Sequence, residues 1–213
     1  FMWSPHENTT LNAILEELEQ DAAPPPDAAE LGAFIRNLTT RKSGKGSVEA
    51  GSRALVDLCR LAEKAFFHPA TKGSNSIKKV LPAVMQSSDY LKRRYSRPIY
   101  GAKGGIRSLN FVDQVWWQEM NGFATDPYRL LPPVFTDLPP EVVEALEADD
   151  DLEITQGGAA TTAYARLQFE DMAPQERRSI EAALLRYCEL DTLAMVMVFE
   201  AWSDEASNPA RPS

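Results

Sequence analysis

The sequence predicts a helix-rich α/β domain, on three observations. Several segments repeat apolar residues at three- and four-residue spacing, the pattern of a helix with one buried face. Two short apolar runs, 1–3 and 54–56, read as pieces of strand, the second with a helix start as its alternative. The 213 residues, 44% hydrophobic and 25% charged, suit one globular domain with a real core.

Taken in order, Phe1 to Trp3 reads as the end of a buried strand. Thr9 or Thr10 opens a helix whose stripe is Leu11, Ile14, Leu15 and Leu18. The consecutive prolines 24–26 break the chain, and a second helix is expected over 28–38 with Leu31, Phe34, Ile35 and Leu38 as its stripe. Residues 39–46 read as a polar loop. Ala54-Leu55-Val56 is either a short strand or the start of a helix reaching Phe67. Ser74 or Ser76 caps a helix to Val84, with Pro82 arguing against a regular one. Residues 99–151, rich in glycine, proline and aromatics, read as an insertion held on the domain by its aromatics, with one or two short helices such as 139–148. A helix over 158–169 follows, and the clearest helix runs from 174 or 175 to 202. The polar tail 207–213 is expected to be loose.

The net charge of −9 excludes a broadly basic nucleic-acid surface. An acidic protein still acts on nucleic acid where bound cations neutralise its site. Local basic clusters are Arg41-Lys42 with Lys45, Lys78-Lys79, and Lys92-Arg93-Arg94 with Arg97; solvated faces are the plain explanation. No apolar run is long enough for a bilayer and no signal pattern is present. Cys59 and Cys188 lack metal spacing and are expected as reduced core thiols, so the expected location is a bacterial-type cytoplasm.

On a wheel of about 100° per residue, Ile180, Leu184, Tyr187, Cys188, Ala194, Met195, Val198 and Trp202 fall within about 60° of Asp191. Asp191 is therefore expected at the centre of the buried stripe, where an unpaired carboxylate costs several kcal/mol, of order. It pairs with a buried Arg or Lys, accepts backbone amides, or ligates a metal. Tyr187, one turn earlier on the same face, addresses the same small volume.

The run Tyr187-Cys188-Glu189-Leu190-Asp191-Thr192-Leu193-Ala194-Met195-Val196 resembles the ending of a bacterial family catalogued as domain of unknown function 2779. Lys72-Gly73-Ser74-Asn75-Ser76-Ile77-Lys78-Lys79-Val80-Leu81-Pro82-Ala83, the opening His6-Glu7-Asn8-Thr9-Thr10-Leu11 and the pair Asp57-Leu58 are similar to it as well. That family in turn resembles the DnaQ-like exonucleases, whose fold is ribonuclease-H-like. The resemblance implies a metal-dependent, 3′ to 5′ exonuclease that hydrolyses phosphodiesters with two Mg²⁺ or Mn²⁺ ions. The alternative is a nucleic-acid-binding or scaffold domain that keeps the fold without turnover.

By the same resemblance, Asp191 matches the last metal ligand and Tyr187 the residue that orients the attacking water. Glu7, followed by Leu11, falls near the second acidic motif as a candidate metal ligand. The family's usual acid there is Asp, its preceding Asn is Trp3 here, and helix capping stands as the other role of Glu7. Asp57 resembles a structural Asp. Lys78 and Lys79 are candidate nucleic-acid contacts beside a solvated-face reading. Asp151-Leu152-Glu153 has the letters of the first motif but comes too late in the chain. With an apolar opening and no Asp-x-Glu strand, the expectation is an N-terminally truncated, partial nuclease domain over 1–206 that is inactive alone. Family analogy adds a nuclease module of the RecB or Cas4 type as a partner.

Overall fold

The computed structural model describes residues 1–42, 47–131 and 163–208. The expected helix at 139–148, Lys45, the Asp151-Leu152-Glu153 triplet and most of the 207–213 tail lie outside the described residues. The chain divides into two compact units, Phe1–Phe67 and His68–Ser213. Each is treated by itself.

The first unit holds α1 (His6–Gln20), α2 (Ala28–Leu38), β1 (Thr40–Lys42), β2 (Val48–Ala50) and α3 (Leu58–Ala65). α1 starts earlier than Thr9, because Thr9 turns both its amide and its hydroxyl back to the Pro5 carbonyl, at 3.0 and 2.9 Å. α2 has the expected bounds, but only Gly32 and Ile35 are buried; Leu31 and Phe34 stay exposed. On α1, Leu15 alone of the stripe is buried. Residues 40–42 and 48–50 form an antiparallel ribbon where a polar loop was expected. Asn8 sets its edge, donating to the Thr40 carbonyl at 3.0 Å and accepting the Thr40 amide at 2.8 Å.

Residues 54–56 are neither strand nor helix. They run extended into a single parallel bridge between Met2 and Asp57, and α3 begins only at Leu58. Phe1 is exposed and Met2 and Trp3 are half-buried, so the strand-like opening is not a buried one. Asp57 caps α3 by accepting the Arg60 amide at 3.0 Å. Asp57→Ala is expected to cost about 1 kcal/mol, read as a lower urea midpoint; no change would remove this role from Asp57.

The second unit holds α4 (Ile77–Ser87), α5 (Asp89–Tyr95), the hairpin β3 (Glu119–Met120) and β4 (Phe123–Ala124), and a long α6 (Pro174–Ser207). Short 3₁₀ turns lie at Pro69–Thr71 and Pro127–Leu130, and residues 163–169 are helical. Asn121 and Gly122, with φ of 54° and 82°, make the tight turn of the hairpin. The strands among the described residues are these two separate two-stranded antiparallel pairs.

α6 packs on α4, α5 and the 127–130 turn. Its buried residues Tyr187, Leu190, Ala194, Met197, Val198 and Ala201 centre on a direction about 70° from Asp191. The expected stripe is thus rotated. Met195 and Trp202 are half-buried, Cys188 is exposed, and Asp191 sits on the margin of the buried arc. Hydropathy alone counted Cys188, Met195 and Trp202 as core. Packing between α4 and α5 selects Leu190, Leu193 and Met197 instead. Cys59 is half-buried and Cys188 exposed, so neither is the core thiol that was expected. The aromatics of the expected insertion do pack inward: Tyr100, Phe111, Trp116, Trp117 and Tyr128 are buried. Gly101 (φ 77°) lets that loop close on itself, since a Cβ there would lie 2.0 Å from the Phe111 carbonyl oxygen. No helix among the described residues is long and apolar enough to cross a membrane.

Candidate active site on the last helix

Three elements of the second unit converge around Asp191. α6 carries Tyr187 and Asp191 one turn apart, and the first turn of α4 carries Lys78 and Lys79. The third element is the short turn Pro127–Leu130. Asp126 caps that turn by accepting the Tyr128 amide at 3.0 Å, and Pro127 follows with its φ already set for a helical start. This fixes Tyr128, which is 4% exposed, with its ring against α6.

The Tyr128 hydroxyl donates to Asp191 Oδ1 at 2.6 Å. The rings of Tyr128 and Tyr187 lie 5.9 Å apart, tilted by 54°. The Lys78 ammonium stands 5.8 Å from the first ring centre and 5.4 Å from the second, a cation–π arrangement with both. The Tyr187 hydroxyl makes no hydrogen bond to Asp191 among the described residues. Asp191 therefore meets a tyrosine from the insertion and the charge of a lysine. A tyrosine hydroxyl as the direct partner is none of the three environments left open from the sequence.

Burial pushes the Asp191 carboxyl above the usual aspartate range, and the Tyr128 hydrogen bond and the Lys78 charge pull it back only in part. Burial raises both tyrosine hydroxyls, and the negative Asp191 raises them further, so both keep their protons at neutral pH. Burial also raises Asp126, against its bond from the Tyr128 amide and the charges of Arg129, Lys79 and Lys78. Positive charge therefore gathers here on a chain of net charge −9.

The expected site residues are only partly brought together. Tyr187, Asp191 and Lys78 share one volume, while Lys79 is exposed. Glu7 belongs to the first unit and engages its own helix start. Its Oε1 accepts the Trp3 amide at 3.4 Å and its Oε2 the Ser4 hydroxyl at 3.1 Å, the capping role. Of the other basic clusters, Lys92 meets Glu119 and the Trp117 ring, and Arg94 meets Glu200.

Asp191 Oδ2, a hard oxygen without a hydrogen bond among the described residues, suits a Mg²⁺ or Mn²⁺ ion as one ligand. A two-metal centre needs several such groups. No set of three or more His, Cys, Asp or Glu among the described residues could hold a metal. The described residues thus do not fit a two-metal centre on their own.

Tyr128 and Asp126 escaped the sequence reading. The signal was present in Asp126-Pro127-Tyr128, a capping acid followed by a first-turn proline, inside a segment read only as an aromatic insertion. Against known proteins, no family model, no curated protein and no solved structure matches this chain.

Proposed function

We propose that this chain carries the Tyr–Asp edge of a metal-dependent nuclease, a 3′ to 5′ exonuclease that hydrolyses phosphodiesters. One observation carries the proposal: Asp191, half-buried, accepts the Tyr128 hydroxyl through one oxygen, the other has no hydrogen bond among the described residues, and Tyr187 and Lys78 lie beside it. Mg²⁺ or Mn²⁺ supplies activation of water and stabilisation of the leaving oxygen in such reactions. The chain's own contribution is defined by its residues. Asp191 offers a single hard oxygen, Tyr187 keeps a protonated hydroxyl with no hydrogen bond to Asp191 among the described residues, and Lys78 sets a positive charge for a phosphate oxygen.

Asp191→Asn separates function from stability. The amide oxygen still accepts from Tyr128, and the half-buried charge is gone, so the melting temperature is expected to hold or rise. In the full-length protein, Mn²⁺-dependent release of nucleotides from DNA or RNA is expected to fall at least about 100-fold with the loss of a ligand that acts in the reaction. Equal activity in the two proteins would sink the assignment.

A second function is a nucleic-acid-binding domain without turnover, using Lys78, Lys79 and Arg129, since no metal-holding group of acids is found among the described residues. It predicts salt-sensitive binding that Lys78→Ala weakens and Asp191→Asn leaves intact. Hydrolysis by the unaltered chain would exclude it.

A further inference from the structure

We propose that a cavity on the far side of α6 from Asp191 binds an α-amino acid with an aliphatic side chain, its carboxylate on Arg94 and its ammonium on Glu200. The inference stands apart from the nuclease function and uses none of its residues.

The cavity has a volume of about 330 Å³, at the lower end of the range of small-molecule sites. α6 gives it Glu189, Leu193, Val196 and Glu200, which follow one another at four-, three- and four-residue spacing and so share one face. That face lies about 150° around the helix from Asp191. The opposite wall is the end of α5, with Arg94 and Tyr95, and the loop that follows it.

Three charged groups border the cavity, and they are engaged to different degrees. Glu189 already accepts from Tyr100, Ser108 and Asn110. Glu200 is engaged through one oxygen: its Oε2 accepts the Tyr95 hydroxyl at 2.9 Å, and its Oε1 has no hydrogen bond among the described residues. Arg94 Nε stands 3.4 Å from the same Oε2, yet it is buried and has no hydrogen-bond acceptor among the described residues. A buried donor and an open carboxylate oxygen thus lie beside each other at one end of the cavity.

This pair selects the chemistry of the ligand. A carboxylate alone would meet the Arg94 donor but face the negative charges of Glu200 and Glu189. An amine alone would meet Glu200 but face Arg94. A molecule with both charges on one carbon, as in an α-amino acid, meets each group with its opposite. An acceptor on Arg94 also relieves the cost of a buried donor left unmet. The remaining walls include Leu193, Val196 and Ile106, which suit an aliphatic side chain.

The test is calorimetric titration of the full chain with L-leucine. Isoamylamine and isocaproate serve as controls, the same carbon skeleton without the carboxylate and without the ammonium. L-leucine is expected to bind with a millimolar or tighter dissociation constant, and each control at least about 10-fold more weakly. Glu200→Gln, which still accepts the Tyr95 hydroxyl, and Arg94→Gln are each expected to weaken L-leucine by a similar factor. Thr192→Phe, at the exposed rim of the cavity, fills it and is expected to abolish binding with melting close to that of the unaltered chain. Asp191→Asn is expected to bind L-leucine as the unaltered chain does, whatever its effect on hydrolysis. No binding of L-leucine by the unaltered chain would overturn the proposal. So would controls that bind as tightly as L-leucine, or unchanged binding in Thr192→Phe, which keeps the question open to test should Glu200→Gln or Arg94→Gln fail to fold.

Discussion

Trp116→Ala is expected to destabilise the chain by about 3–5 kcal/mol, the cost of emptying a large aromatic site. Trp116 is fully buried and is the hub of three rings. It meets Phe111 edge-on at 4.9 Å and Tyr100 at 5.9 Å, and those two lie 6.0 Å apart. The backbone amides of Trp116 and Trp117 both donate to the Tyr95 carbonyl, at 3.1 and 2.9 Å, so the ring cluster is tied to the end of α5. An alanine leaves a void bounded by two rings and a fixed backbone, which cannot collapse freely. In a chain of this length the loss corresponds to about 10 °C or more in melting temperature. The indole nitrogen has no hydrogen-bond partner among the described residues, so part of the side chain is itself unfavourable in place. Trp116→Phe removes that unpaired N–H and keeps most of the apolar contact, and its cost is expected to stay below half that of alanine. Urea unfolding at constant slope reads both; a loss under about 1 kcal/mol for alanine would mean that the cluster is not a core.

How far the sequence carries is visible at particular residues. The bounds of α2 followed from the proline break and from Thr39, where the backbone turns extended. α6 begins at Pro174, a residue suited to a first helical position, and passes residue 202 to Ser207 because no breaker comes earlier. Local rules of this kind need only neighbours in the chain. The β1–β2 ribbon was hidden because Val48, Glu49 and Ala50 are all exposed, leaving no alternation to read. Its support is the Asn8 side chain, 32 residues away. The site divides the same way. The spacing of Tyr187 and Asp191 put them on one face, and they are on one face. That Asp191 lies at the edge of the buried arc depends on which helices pack against α6. That Tyr128 and not Tyr187 donates to it depends on a contact between residues far apart in the sequence. Neither is written in the period of a single helix.

Glu189 and Asp191 sit two residues apart on α6 and are pushed in opposite directions, and this yields the second large expected effect. At Glu189 burial raises the carboxyl, but the hydroxyls of Ser108 and Tyr100 and the Asn110 amide outweigh it, leaving the group below the usual glutamate range. The three bonds are 2.5, 2.8 and 2.6 Å. Together they fasten the 100–117 loop, and with it the Trp116 cluster, to the long helix. Glu189→Ala leaves three donors without their acceptor and is expected to cost about 2–3 kcal/mol, since some of the freed groups reach water. Glu189→Gln should cost about 1–2 kcal/mol at neutral pH, because the charge that strengthens the bonds is lost. The pH dependence has a definite sign. A carboxyl whose folded value is lowered releases its proton more readily in the folded chain. Its stabilisation is complete above the unfolded value of about 4.3 and disappears as the pH falls through the lower folded value. The gap between the unaltered chain and Glu189→Gln is therefore expected to be constant from pH 7 to about 5 and to close below that. Asp191, raised in the fold, works the other way: it takes up its proton first in the folded state, so protonation there favours folding. Denaturation curves of Glu189→Gln and Asp191→Asn across this range should move in opposite senses relative to the unaltered chain. Both gaps should shrink on acidification but from opposite sides, so if the two variants shifted stability in the same direction at pH 7, the opposite effects of burial on the two carboxylates would be wrong.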